Sequence, residues 1–285
     1  MQNFPKKAKE GKLEGINHYV CCLQGCFGEA MKGNFTCLVN PRCTREFEHD
    51  LLKADNTKNV MIIGAGPGGL MAARTAAQRG HNVTVYDKDT HFGEVLGVTF
   101  KMGKEVSEEA RPDTIVVATG SVPLTPPIEG INSENVVTAE DVLYGKIDVN
   151  QGPVVVCGGG ETAEFIAQTN HDVTILEMKP AILTDMVVTN MIPNMERLHQ
   201  QQIKIVTNAT VSKINENAVS YKNADGDEIT IPASTVVLAF GYKAYNPLEN
   251  VAKENCNEVY VIGSAVKAGN ALTAIQDGYQ AGLKL

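Results

Sequence analysis

Three groups of residues in this 285-residue chain have types and spacing that could do chemistry. The first is Gly64-Ala65-Gly66-Pro67-Gly68-Gly69 together with Asp87, which lies 23 positions after Gly64. Gly64 permits a tight turn, Gly66 lets backbone approach a pyrophosphate, and Gly69 lets a helix and a strand pack closely, with the helix N-terminus facing the phosphates. An acid at that distance takes the hydroxyls of a ribose. The second group is Gly158-Gly159-Gly160-Glu161-Thr162-Ala163, with Glu177 standing where Asp87 stands in the first. The third is Cys21, Cys22, Cys26, Cys37 and Cys43, five of the seven cysteines of the chain. Thiolates so spaced suit an iron–sulfur cluster, whose irons need four ligands, or a structural zinc; free buried cysteines are the plain alternative.

Each glycine group needs a strand before it and a helix after it, and the sequence supplies both. An apolar run at 60–63 reads as a buried strand, Ala-rich sequence carries a helical pattern to Gly80, and a β-rich run at 83–86 ends on Asp87. Another strand at 113–120 ends in Ala-Thr-Gly, and Pro123, Pro126 and Pro127 then mark a crossover. The second half repeats the first: an apolar strand at 153–157, the glycine group, HDVTILE answering HNVTVYD, and TVVLAFG at 235–241 answering TIVVATG. Two nucleotide folds in tandem imply two dinucleotides, naturally a flavin and a nicotinamide that exchange a hydride. Residues 44–58 read as a charged linker, a helix is expected around 192–201 with a strand at 203–206, and KINENAVSYKNADGDEITI reads as a hairpin turning at Asp225-Gly226.

Composition narrows the class. The length suggests about two domains, and 43% hydrophobic residues can bury a sizeable core. A net charge of −8 argues against nucleic acid, which needs a basic face. The N-terminal MQNFPKKAKEGK has no apolar core and no run approaches membrane-spanning length, so neither signal peptide nor membrane span is expected and the reading is cytoplasmic. His18, His49, His81, His91, His171 and His199 show no metal spacing and read as loop or surface residues.

The segment CLQGC…CLVNP, followed by VMIIGAGPGG, DTIVVATGS, VVVCGGG, VTILEM, VYVIG and ALTAIQDGYQAG, resembles the C-terminal half of the flavin and iron–sulfur ene reductases, the family of 2-enoate reductase, 2,4-dienoyl-CoA reductase and, more distantly, trimethylamine dehydrogenase. The resemblance covers nearly the whole chain. In that family an N-terminal barrel holds FMN and substrate, a [4Fe-4S] cluster sits at the junction, and the C-terminal domains hold FAD, or ADP in the dehydrogenase, and NAD(P)H. It implies that Gly64, Gly66, Gly69 and Asp87 hold the FAD pyrophosphate and ribose, that Thr119 and Gly120 make a second flavin contact, and that Gly158, Gly160 and Glu177 hold NADH. Glu177 followed by Met178 favours NAD over NADP, because a carboxylate repels a 2′-phosphate. Cys22, Cys26 and Cys37 match three cluster ligands, and Cys21 or Cys43 would supply the fourth. Hydride transfer from nicotinamide to flavin needs alignment rather than an acid or base, so no catalytic residue is named.

Four departures from the family pattern stand out. Tyr19 occupies the place of a cysteine three before Cys22, and Ser264 replaces the acid that holds the flavin's ribityl chain. Asp87 to Thr114 is 27 positions against 58 from Glu177 to Thr235, and Gly158 to Glu177 is 19 against 23 in the first copy. The second helix is thus expected to be short by about one turn at 3.6 residues per turn. After Ser264, Asn270 is placed to cap a helix aimed at the flavin ring.

The resulting expectation is an α/β protein of two tandem Rossmann-like, FAD/NAD-linked reductase-type domains behind a Cys-rich segment. Residues 1–57 would be the cluster segment and linker, 58–150 with 245–285 the FAD (or ADP) domain, and 151–244 the NAD domain. Its function would be electron input from NADH through FAD toward a cluster and a partner barrel, domain or subunit, that carries FMN and acts on an enoate or enoyl-CoA; a homo-oligomer is compatible. A disulfide reductase would need a cysteine pair after the first glycine group, and no cysteine lies between Cys43 and Cys157. The other rival is a degenerate ADP-binding assembly module without redox activity.

Overall fold

The structure is a computed structural model and describes residues 4–13, 16, 18–47, 51–90, 97–104, 111–169 and 171–285. His49 and His91 lie outside the described residues. The chain divides into two compact units, Met1–Val122 with Lys243–Leu285, and Pro123–Tyr242.

Up to residue 57 the described residues form only short helical pieces: α1 (Phe4–Lys9), a π-helical turn at Gln24–Gly28 and a 3-10 turn at Ala30–Lys32. Then β1 (Asn59–Ile63), an apolar run with β-branched residues, leads into α2 (Pro67–Arg79). Proline suits the first turn of α2, whose N–H would lack a partner anyway, and Gly80 ends it at φ 97°, where a Cβ would be strained. β2 (Asn82–Asp87), β3 (Val98–Met102) and β4 (Thr114–Val117) follow, and the chain leaves through β5 (Ser121–Pro123). The second unit contains β6 (Val136–Thr138), α3 (Ala139–Leu143), β7 (Val154–Gly158), α4 (Gly160–Ala167), β8 (Val173–Leu176) and α5 (Val188–Gln200). It continues with β9 (Lys204–Val206), β10 (Thr210–Asn215), β11 (Ala218–Lys222), β12 (Glu228–Pro232) and β13 (Thr235–Ala239). The return is through β14 (Tyr242–Ala244), which pairs with β5, and ends with α6 (Glu249–Asn255), β15 (Val259–Val261) and α7 (Ala271–Lys284).

In the first unit the sheet order is β15-β4-β1-β2-β3, every pair parallel. Parallel sheets are covered on both faces, and accordingly Ile62, Val85, Val116 and Val117 are fully buried. α7 crosses α2 with almost no side chain between them: a Cβ on Gly278 would fall 2.1 Å from the Gly68 carbonyl oxygen, and one on Gly282 would fall 2.5 Å from Thr75 Cβ. Lys58 Nζ grips both carboxylate oxygens of Glu258 at 2.9 and 2.8 Å, which Thr114 Oγ1 and Tyr260 Oη also reach, tying the start of β1 to the returning β15.

The sheet of the second unit, β6-β13-β7-β8-β9, is again all parallel. It repeats the first strand for strand, with β6 in the edge position that β15 fills there. The structural division after residue 122 therefore precedes the expected boundary at 150: β6 and α3 belong to the second sheet, through Val136–Thr138 pairing with β13. The long interval between Glu177 and Thr235 holds α5, β9 and an antiparallel meander β10-β11-β12. The expected single hairpin is one of two, because the chain also turns at Glu216-Asn217. At the foreseen turn Gly226 has φ 88° and Asn223 Oδ1 accepts the N–H groups of Asp225 and Asp227.

Candidate functional site

The first glycine turn joins β1 to α2. Gly64, at φ 111°, sits where a Cβ would lie 2.1 Å from the Ala118 carbonyl oxygen, and a Cβ on Gly69 would lie 1.9 Å from the Gly64 carbonyl oxygen. Both glycines are thus demanded by close backbone packing. Gly66 differs: its φ of −69° suits any residue, and a Cβ there would meet nothing within 4 Å. The turn is open at that point, and α2 starts without a side-chain cap, so its first N–H groups are available to an anion. Asp87 ends β2 with one carboxylate oxygen 2.6 Å from the Ala65 N–H and the other 3.0 Å from the Asp89 N–H. These two hydrogen bonds fix an acid against the turn.

Thr119 and Gly120 follow β4. Thr119 Oγ1 donates to the Tyr245 carbonyl at 2.6 Å, Tyr245 N–H donates to the Gly120 carbonyl, and Gly120 has open space on its Cβ side. Ser264 lies in a 3-10 turn, Gly263–Ala265. An acid does stand beside that turn, since Asp277 accepts the Gly263 N–H at 3.2 Å. Asn270 caps α7 as expected, its Oδ1 accepting the Thr273 N–H at 3.0 Å.

The second glycine turn joins β7 to α4. Gly158 has φ 82° and packs on the Ala239 carbonyl, as Gly64 does on that of Ala118. α4 has 8 residues against the 13 of α2, which matches the missing helical turn. Glu177, like Asp87, accepts the N–H two residues on, here that of Lys179 at 2.8 Å. Glu161 is in the first turn of α4, and its carboxyl is pushed above the usual range by burial and then by Asp185 and Glu164. Cys157, at the end of β7, is fully buried and its thiol is pushed up to about 12 by desolvation, which makes it inert.

The thiol segment is the third site. Cys21 is exposed at φ 53°, while Cys22, Cys26, Cys37 and Cys43 are half-buried. Tyr19, in the place of the expected cysteine, is exposed, and its hydroxyl pKa is raised, by desolvation first and then by Cys21, Cys26, Cys22 and Cys37. The Cys43 thiol is likewise raised, by burial first and then by Cys37. Yet among the described residues no three of His, Cys, Asp or Glu converge closely enough to hold a metal ion. As placed, the thiols do not fit a cluster. Gln276 Nε2 donates to Thr36 Oγ1 at 2.9 Å, anchoring this segment on α7.

His81 corrects the surface reading given to it. It is 4% exposed, and its Nδ1 accepts the Lys58 N–H at 3.1 Å. Its pKa is lowered by burial and then by Arg79 and Lys58.

These geometries define a class, the FAD/NAD-linked reductases of doubly repeated Rossmann type. The chain belongs to the pyridine nucleotide-disulphide oxidoreductase family, whose profile matches residues 95–278, and an NAD(P)-binding Rossmann-like domain matches residues 62–99. It is 34% identical to an NADH oxidase of Thermoanaerobacter brockii over 318 aligned positions, covering 97% of this chain and 49% of the relative. A cinnamate reductase of Clostridium sporogenes is 31% identical, with 97% and 47% covered. A solved 2-naphthoyl-CoA reductase in complex with 2-naphthoyl-CoA superposes with a TM-score of 0.90 at 31% identity, covering 99% of this chain and 48% of that one. The resemblance to the C-terminal half of the ene reductases is thereby borne out. The chain spans about half the length of the relatives it matches. Among the described residues no helix is long and apolar enough to cross a membrane.

Proposed function

We propose that this chain is the electron-input module of a flavin-dependent ene reductase, taking electrons from NADH onto FAD and passing them to a partner barrel that carries FMN and acts on an enoate or enoyl-CoA. The observation that carries this reading is the first glycine turn, open at Gly66 and backed by an acid that two backbone N–H groups hold in place. FAD would supply two-electron chemistry, accepting a hydride from the nicotinamide. Gly64, Gly66 and Gly69 would shape the cradle for its pyrophosphate, the α2 N-terminus would oppose the phosphate charge, and Asp87 would accept the ribose hydroxyls. Thr119, Gly120 and Ser264 would line the remainder of its length. In the second unit Gly158 and Gly160 would take the pyrophosphate of NADH and Glu177 its ribose, and the carboxylate there would select NAD over NADP. The likeness to an NADH oxidase, a cinnamate reductase and a 2-naphthoyl-CoA reductase supports the assignment.

Cys21, Cys22, Cys26 and Cys37 would be the ligands of a [4Fe-4S] cluster in this scheme. The thiols do not converge as placed, so the proposed electron path does not pass through them. The test is a visible spectrum of the anaerobically purified full chain, reconstituted with FAD, before and after NADH. Flavin bands that bleach support the proposal, and a protein that retains no flavin overturns it. Iron and sulfide analysis decides the thiol segment separately.

A further inference from the structure

The two glycine turns answer one another residue for residue, yet what lies over the third residue of each, Gly66 and Gly160, differs. A Cβ on Gly66 would meet open space, whereas a Cβ on Gly160 would fall 2.7 Å from Cδ2 and 3.3 Å from Cγ of Leu183. The isobutyl group of Leu183 therefore fills the hollow that glycine leaves, on the face where backbone must approach a pyrophosphate.

The leucine is held there against its own preference. Its φ is 56°, in the left-handed region that a bulky side chain enters only at a cost. The surrounding segment fixes that conformation. The Lys179 carbonyl accepts the Asn208 N–H at 3.0 Å, the Lys179 N–H is taken by Glu177, and Ile182 is buried in the core of the second unit. Beyond it, Met186 N–H donates to the Leu183 carbonyl at 3.1 Å, and α5 begins at Val188. Relaxation of φ at Leu183 would uncover Gly160 and would move Asp185, which lies on the same short turn and acts electrostatically on Glu161 at the start of α4.

We propose that Leu183 gates the second glycine turn: it occupies the place that the pyrophosphate of NADH takes, and the nucleotide must displace it. This rests on the reading of that turn as the NADH site. Opening withdraws a hydrophobic plug and, through Asp185, one negative charge from the path of a dianion. The fraction of molecules with the turn open then scales the apparent affinity.

The experiment titrates NADH into the full chain and into the Leu183→Ala and Leu183→Gly variants, read by the fluorescence of NADH itself in a chain that contains no tryptophan. Relief of a left-handed, plugged residue should tighten NADH binding by about tenfold in Leu183→Gly and somewhat less in Leu183→Ala, with faster association in both. Glycine is at ease at φ 56°, so this variant keeps the fold, checked by thermal unfolding and by unchanged ADP binding at the first turn. NADH binding by the variants alone would be the strongest support. Equal affinity and association rate in all three proteins, or weaker binding by the variants, overturns the gate and leaves the NADH site standing. No binding by any of the three overturns the site reading and the gate with it.

Discussion

At the scale of single residues, the two uses of glycine in the first turn can be separated. Gly64 cannot carry a side chain without driving it into the Ala118 carbonyl, so Gly64→Ala should cost about 2–3 kcal/mol of stability. Gly66 has room, so Gly66→Val should unfold at nearly the wild-type temperature yet lose flavin and ADP binding, measured by calorimetry. His81 gives a pH signature. The unfolded chain takes up its proton near the ordinary value of 6.5, the folded chain only at lower pH, so the unfolded state binds more protons there. Stability is complete above that value and falls as the medium is acidified through the window below it; His81→Asn should flatten this slope in urea titrations. Glu258 works in the carboxylate range. Burial would raise its pKa, but hydrogen bonds from Lys58, Thr114 and Tyr260 outweigh it and leave the pKa below the usual 4.5. Its contribution is present above that value and is lost as pH drops through the lower folded pKa. Glu258→Gln should cost about 1–2 kcal/mol at neutral pH, a range discounted for the partial exposure of the pair. The glycines and their acids were legible in the sequence because their spacing is local. The burial of His81 and the position of Leu183 over Gly160 were not, since a lone histidine carries no period that marks it as buried and a left-handed φ at leucine is not encoded in composition.

At the scale of elements, the α2–α7 crossing decides how close two helices come. Gly278→Ala would place a methyl group 2.1 Å from a backbone oxygen, and backbone on both sides prevents easy adjustment. A cost of about 1–3 kcal/mol is expected in denaturant melts, a figure typical of overpacking. The same change at Gly226, whose Cβ side is open, should cost less, from the φ of 88° alone. Strands and the first helix could be read from apolar runs and glycine ends. The Glu216-Asn217 turn was missed because KINENAVSYK lacks a glycine or proline to punctuate it. The edge strand β6 was missed because its partner β13 lies about a hundred positions later, and three residues carry no readable period by themselves.

At the scale of the molecule, the repeat was visible from sequence and the structure shows it as two sheets of one strand order. The proposed activity belongs at this scale: NADH should bleach the flavin of the full chain, whereas Glu177→Arg should lower NADH turnover with an artificial acceptor by about tenfold or more and shift preference toward NADPH. The thiol segment is where the sequence promised most and the structure delivers least, because metal ligation is a matter of convergence in space. Tyr19→Cys should raise bound iron and sulfide if a missing ligand is the cause. The Lys58–Glu258 clasp and the packing of α7 on Gly68 also bear on how the chain is made. The second unit is continuous in sequence and has all its strands once residue 242 has left the ribosome. The first begins earlier but lacks an edge strand and the helix behind its glycine turn until the last few dozen residues emerge. In order of synthesis the first unit is thus completed after the second, and β4 has one edge unpaired until β15 is made.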